Sequence, residues 1–169
     1  MGRLGISRMS FLGQRKNKLK TIITYGTFDL FHVGHVRLLK RLKNLGDKLI
    51  IGLSSDDFNE LKGKKTVMSF EQRKEILLAC KYVDDVFEEA NWEQKREDII
   101  EKNADVFAMG DDWAGKFDDL CDIVDVVYLT RTEDISSTDV KIMVRKISDE
   151  HKHELQNTLE SMKRLVEKL

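Results

Sequence analysis

Short β-rich runs separated by stretches of helical periodicity set the strongest limit on how this chain folds. Thr21–Tyr25 (TIITY) is a β-rich run ending at Gly26, and Lys48–Leu53 (KLIIGL) is almost wholly apolar, as a strand buried on both faces must be. Asp85–Glu88, Asp105–Met109 and Val126–Thr130 read as three further strands. Between the first two runs, Val36, Leu38, Leu39, Leu42 and Leu45 recur at helical spacing up to Gly46, which reads as a C-cap. Ser69 and Gln72 form a capping-box pattern that opens a helix running to about Lys81. Residues 92–102 and 137–146 predict two more helices. Strands alternating with helices specify βαβ units with right-handed crossovers, hence an α/β fold with an open parallel sheet of about five strands flanked by helices. Such a sheet binds ligands at the carboxyl ends of its strands, beside the point where the strand order reverses. Three segments bring conspicuous polar chemistry to strand ends: Gly26–His35, Gly110–Lys116 and Arg131–Asp139.

At 169 residues the chain is the size of one domain, and 41% hydrophobic with 35% charged residues is the balance of a soluble globular protein. A formal charge of −1 supplies no global field for nucleic acid. No apolar run approaches the roughly 20 residues of a membrane span, so no stable membrane insertion is expected, nor is there a signal-peptide stretch. Two cysteines, Cys80 and Cys121, cannot build a disulfide framework, which fits a reduced, cytoplasmic setting. Cys80 follows Leu77, Leu78 and Ala79 and reads as a buried, inert thiol. The charge is uneven: residues 1–20 hold six basic residues and no acid. Residues 1–19 therefore read as a basic, mobile arm, 20–146 as the domain, and 147–169 as an amphipathic C-terminal helix. The stripe of Leu155, Leu159, Met162, Leu165, Val166 and Leu169 on that helix suits packing on the domain's own surface, or pairing with a second copy.

The densest chemistry lies in GTFDLFHVGH, Gly26–His35. Gly26 permits a tight turn after the first strand, and Gly34 with His35 opens a helix whose amides and dipole favour a phosphate. His32 and His35, three residues apart, can face one ligand from a single turn. They could serve as a metal pair, as capping or packing groups, or as paired donors around a phosphate. A metal would need a further ligand, and His151 and His153 lie far away in the tail, so the phosphate reading is preferred and no metal ligand is assigned.

GTFDLFHVGH resembles the HxGH signature of the nucleotidyltransferase superfamily, and RTEDISST (Arg131–Thr138) resembles the RTEGISTT-type motif that marks its cytidylyltransferase family. Asn91–Lys95 (NWEQK) and Met109–Asp118 (MGDDWAGKFD) are similar to the members whose acceptor is sn-glycerol 3-phosphate. The resemblance runs from about Lys20 to Lys146. It implies a Rossmann-like fold, a homodimer, and transfer of the cytidylyl group of CTP to glycerol 3-phosphate. The products would be pyrophosphate and CDP-glycerol for teichoic acid or capsule-type polymers. It further implies catalytic roles for His32, His35, Lys62, Lys64 and Arg131. Nucleotide contacts fall to Thr27, Phe28, Gly34, His35, Asp112, Arg131, Thr132, Ser136, Ser137 and Thr138, and acceptor contacts to Lys62, Arg73 and Trp92, with Trp113 as a second wall.

The chemistry suits those residue types. A phosphate monoester has its second pKa near ~6 and is already largely a dianion at neutral pH, so no strong general base is required. The site must position two phosphates and stabilise charge on the transferring group. Histidines, lysines, an arginine, hydroxyls and amides do that. No carboxylate cluster suggests an all-protein cage, so Mg²⁺ should arrive with the CTP phosphates. Two positions depart from the family pattern: Asp134 stands where glycine is usual, and Ser137 where threonine is common. Asp134 keeps open a catalytically weak, CTP-binding regulatory protein, beside the alternatives of another phospho-alcohol acceptor, adenylyl transfer, or a membrane-surface adaptor using the basic arm.

Overall fold

The computed structural model describes residues 18–130 and 136–166. Its five strands, β1 (Thr21–Gly26), β2 (Lys48–Ser54), β3 (Asp85–Glu89), β4 (Val106–Gly110) and β5 (Asp125–Leu129), form one sheet of order β3-β2-β1-β4-β5, parallel throughout. Each lies within one residue of its sequence-predicted start. The order reverses between β1 and β4, which places a crevice at the carboxyl end of β1.

Alternation along the strands divides the core into two layers. Ile22, Leu49, Ile51 and Leu53 pack with Leu39 and Leu42 of α1 (Val33–Lys43) and Leu77 of α3 (Phe70–Ala79). Ile23, Tyr25, Phe107 and Met109 face the opposite way, against Ile99 of α4 (Lys95–Glu101). Helices therefore cover both faces of the sheet, as near-continuous apolar strands require.

Three local expectations change. Gly46 is no helix cap: α1 ends on Asn44 in right-handed conformation, and Gly46 is needed because a Cβ there would come within 2.6 Å of the Lys20 carbonyl. A short helix, α2 (Asp56–Leu61), precedes the lysine-rich loop, capped by the Ser55 hydroxyl on the Phe58 amide. The two predicted C-terminal helices are one, α5 (Ser137–Val166), because neither glycine nor proline interrupts the stripe at Ile147. Every residue from 142 to 164 is exposed, so this length of helix does not lie on the domain. No helix among the described residues is long and apolar enough to cross a membrane. Cys80 is half-buried at the end of α3, and Cys121 is exposed.

One buried side chain ties the carboxyl ends of β1 and β2 to α3. Arg73, read from sequence as an acceptor-phosphate contact, is 1% exposed. Its guanidinium donates to the carbonyls of Thr27 (2.7 Å), Ser54 (2.9 Å) and Met68 (3.2 Å) and to the Asp56 carboxylate (2.6 Å). Its donors are thus largely taken up by the protein itself, and Arg73 acts as a positioning group. Replacing Arg73 with Met should lower unfolding free energy by about 3 kcal/mol, since three carbonyls lose their donor. Denaturant titration checks this. Unchanged stability with only a raised KM for the acceptor would restore Arg73 as a substrate contact.

Candidate active site

The loop Thr27–Phe31 leaves β1 through two residues in left-handed conformation, Phe28 (φ 49°) and Leu30 (φ 47°). The Phe28 ring turns into the core, packing edge-on to His35 at 5.2 Å. Asp29, between the two, is 4% exposed and accepts hydrogen bonds from the Val67 and Met68 amides. It also pairs with Lys141 of α5 at 2.9 Å. Burial alone would raise its carboxyl pKa. The Lys141 ammonium and the two amides outweigh burial and hold it below the usual range. The strain of the loop is thus fixed by one carboxylate that joins the β1, lysine-loop and α5 segments. Thr27 donates its hydroxyl hydrogen to Asn59 Oδ1 at 2.8 Å.

His32 caps α1: its Nδ1 accepts from the Gly34 amide at 3.1 Å, while His35 Nδ1 accepts from the His32 amide at 3.4 Å. The rings stack with centroids 3.8 Å apart. With both Nδ1 atoms accepting, each neutral imidazole carries its proton on Nε2, leaving two Nε2–H donors for a ligand. His32 Nε2 lies 3.4 Å from the Ser137 hydroxyl, which itself donates to the Asp29 carbonyl at 2.7 Å. Burial, then the neighbouring His32, push His35 down to about 4. Burial also lowers His32. Both are neutral donors until an anion arrives.

A cleft of about 370 Å³ opens over this pair, lined also by Gly34, Lys64, Asp112, Ser136 and Ser137. Ser136 and Asp139 cap α5 reciprocally: the Ser136 amide and hydroxyl donate to Asp139, whose amide donates back. Thr138 is exposed in the first turn. Arg131, Thr132 and Asp134 lie outside the described residues.

A second cleft of about 490 Å³ lies beside the first, walled by Phe58, Trp92 and Trp113, with Lys62 and Lys64 on its rim. The two tryptophan rings are 5.4 Å apart. Gly63, at φ 69°, makes the turn that separates the two lysines, so Lys64 borders both clefts while Lys62 points beneath one. Lys62 Nζ donates to Ser54 Oγ at 2.7 Å and sits 4.1 Å from the Phe58 centroid. Burial lowers its pKa to about 8, against the opposing pull of Glu89.

The described residues place no group of three His, Cys, Asp or Glu where they could hold a metal. Among the described residues, the cleft over the histidines offers imidazoles, an ammonium, hydroxyls and the carboxylate of Asp112, a donor set matched to phosphate oxygens more than to a cation.

Residues 23–152 match the family described as cytidylyltransferase-like. The chain belongs to that family. Two curated relatives are glycerol-3-phosphate cytidylyltransferases. That of Bacillus subtilis is 58% identical over 123 residues, covering 73% of this chain and 95% of the relative. That of Staphylococcus aureus is 50% identical over 123 residues, covering 73% and 93%. An FAD synthase of Pyrococcus abyssi is 32% identical over 152 residues, covering 89% and 95%. The fold is shared with a lipopolysaccharide core biosynthesis protein from Thermoplasma volcanium, at TM-score 0.59 and 23% identity over 69% of this chain and all of that one.

In this cytidylyltransferase-like protein, three site residues escaped the sequence reading. Asp29, inside the quoted GTFD, bridges three segments. Lys95, inside NWEQK, is buried beneath Trp92 at 4.8 Å from its ring. Glu89 binds Lys95 at 2.5 Å. Lys95 could have been found: it stands four residues before Ile99, on the inward face of α4. The tautomer and burial argument predicts that the His35 imidazole titrates near pH 4 in the free protein, and that its pKa rises when CTP adds negative charge. Imidazole NMR titration with and without CTP checks this. A pKa unmoved by CTP would remove His35 from the phosphate site.

Proposed function

We propose that this protein transfers the cytidylyl group of CTP to sn-glycerol 3-phosphate, forming CDP-glycerol and pyrophosphate. The observation that carries this reading is Lys64 in the wall of two adjoining clefts, one over the stacked histidines and one against Trp92. A reaction that joins two phosphates needs one cation shared between them. Two relatives at 50% and 58% identity are named for this activity.

CTP lies over the N-terminus of α1, with its phosphates on the Nε2–H groups of His32 and His35 and on Ser137. The acceptor occupies the Trp92 cleft with its phosphate toward Lys62 and Lys64. An oxygen of the acceptor dianion attacks the α-phosphorus, a new P–O bond forms, and the bond to the β-phosphate oxygen breaks in line, releasing pyrophosphate. No proton need be removed from the nucleophile. Neutral histidine donors held in place by α1 strengthen as charge builds on the α-phosphoryl oxygens, without the reorganisation that water would need. Arg131 is read as the grip on the departing phosphates. Thr27, Thr132, Ser136 and Thr138 are read as further nucleotide contacts, with Asp112 accepting from the base or ribose. Mg²⁺ belongs with the CTP phosphates, where it would neutralise charge on the leaving group. A homodimer, a cytoplasmic setting, the lack of a nucleic-acid partner, and service to a glycerol-phosphate polymer are parts of the same proposal.

Pyrophosphate release with Mg²⁺, comparing CTP with ATP across glycerol 3-phosphate, phosphocholine, phosphoethanolamine and ribitol 5-phosphate, tests the reading. Turnover is expected with CTP and glycerol 3-phosphate. Turnover with ATP alone, or with another acceptor alone, overturns it. His35→Ala should lower kcat about 10²–10³-fold with the fold retained by circular dichroism. Normal turnover would contradict the donor role.

A further inference from the structure

Beneath the Trp92 cleft, two lysines share one carboxylate. Glu89, 2% exposed at the end of β3, binds Lys95 Nζ through Oε1 at 2.5 Å and approaches Lys62 Nζ through Oε2 at 3.7 Å. Oε2 also accepts the Ser54 hydroxyl at 2.6 Å, and Ser54 Oγ in turn accepts from Lys62. Lys95 is 3% exposed and enclosed by the rings of Tyr25, Trp92 and Phe117. Two ammoniums on one buried carboxylate leave a positive charge uncompensated. For stability alone, one lysine would balance Glu89, and the second adds desolvation cost.

We propose that Glu89 is the positioning residue that fixes the charge of the acceptor cleft, holding Lys62 and Lys95 as adjacent ammoniums whose surplus charge is completed by a phosphate monoester dianion. This rests on the reading of the Trp92 cleft as the acceptor site. The groups that face Lys62 are Glu89 from β3, Lys95 from α4, Lys64 from its own loop and the neutral Ser54 from β2. Burial, Lys64 and Lys95 all disfavour its ammonium, and Glu89 is the group that opposes them. The pKa of Lys62 is lowered to about 8, so loss of the opposing carboxylate would bring its deprotonation toward neutral pH and cut the charge the cleft carries. Without Glu89 that pKa falls further, and the ammonium is lost at lower pH.

The test uses the full chain with Glu89→Gln and Glu89→Asp. KM for glycerol 3-phosphate and for CTP are measured separately from pH 6.5 to 9.5 (about the span around the Lys62 value). The Lys62 Cε resonance, assigned by its loss in Lys62→Met, is titrated by ¹³C NMR. Glu89→Gln should raise KM for glycerol 3-phosphate about tenfold at the pH of the wild-type basic limb, keep KM for CTP within about twofold, and move that limb and the Lys62 titration down by about one unit. Glu89→Asp keeps the charge and should keep the limb, with KM for glycerol 3-phosphate raised a few-fold by its shorter reach. An unshifted Lys62 titration in folded Glu89→Gln overturns the proposal. So does an equal rise in both KM values with an unmoved limb. If Glu89→Gln does not fold, Glu89→Asp with KM and titration unchanged overturns it as well. Absence of glycerol-3-phosphate turnover in the wild type would instead fell the acceptor reading, while the NMR titration still decides what Glu89 does to Lys62.

Discussion

The buried guanidinium of Arg73 is the contact on which the rest of the site depends. Parallel strands end with carbonyls that no neighbour satisfies, and a crevice at those ends leaves them short of donors. Arg73 supplies donors to Thr27, Ser54 and Met68 at once, joining the residue after β1 and the last residue of β2 to the segment that leads into α3. Asn59 adds a second tie, donating to the Ser54 and Ser55 carbonyls while accepting from Thr27. Only with these ends fixed can the loop Thr27–Phe31 hold two left-handed residues, and only then does His32 meet α1 as its cap. The catalytic geometry is a consequence of satisfied backbone, with the ligand-facing groups added on top.

That order explains what could be read from sequence. The central strands β1, β2 and β4 announce themselves as apolar runs, and the edge strands β3 and β5 as short β-branched and aromatic stretches, so all five were legible. The Ser69–Gln72 capping box was legible because both partners lie within one turn. His32 and His35 were visible as polar groups at a strand end, whereas Lys62 and Lys64 drew their roles from the resemblance. The inward turn of Arg73 was not legible. An arginine one turn into a helix looks the same whether it reaches outward to a phosphate or inward to carbonyls 46 and 19 residues away. Glu89, Lys95 and Asp29 likewise depend on pairings across the sheet that no local pattern encodes. At α5 the two helices expected over 137–146 and 147–169 run on as one, since no glycine or proline stands at their junction.

Electrostatically the site is built from opposites. Over the stacked pair, burial keeps both histidines neutral, so they can donate hydrogen bonds without carrying a charge. Beneath the Trp92 cleft, the buried Glu89 carboxylate pairs with Lys95 and approaches Lys62, whose ammonium it favours against burial. Lys64, exposed and without a carboxylate partner among the described residues, stands between the two as the mobile charge. Such a division suits a reaction in which one phosphate arrives already ionised and the other becomes more negative only in the transition state.

An acceptor that is already a dianion can attack the α-phosphorus directly, so no side chain need serve as an intermediate nucleophile. The most direct measurement is the stereochemistry at the α-phosphorus, using CTP with sulfur at one α-position in a single configuration and glycerol 3-phosphate as acceptor. A single in-line displacement by the acceptor predicts inversion in the CDP-glycerol analogue. Retention would mean two displacements through a covalent protein intermediate, and would contradict a site that works by positioning and charge alone.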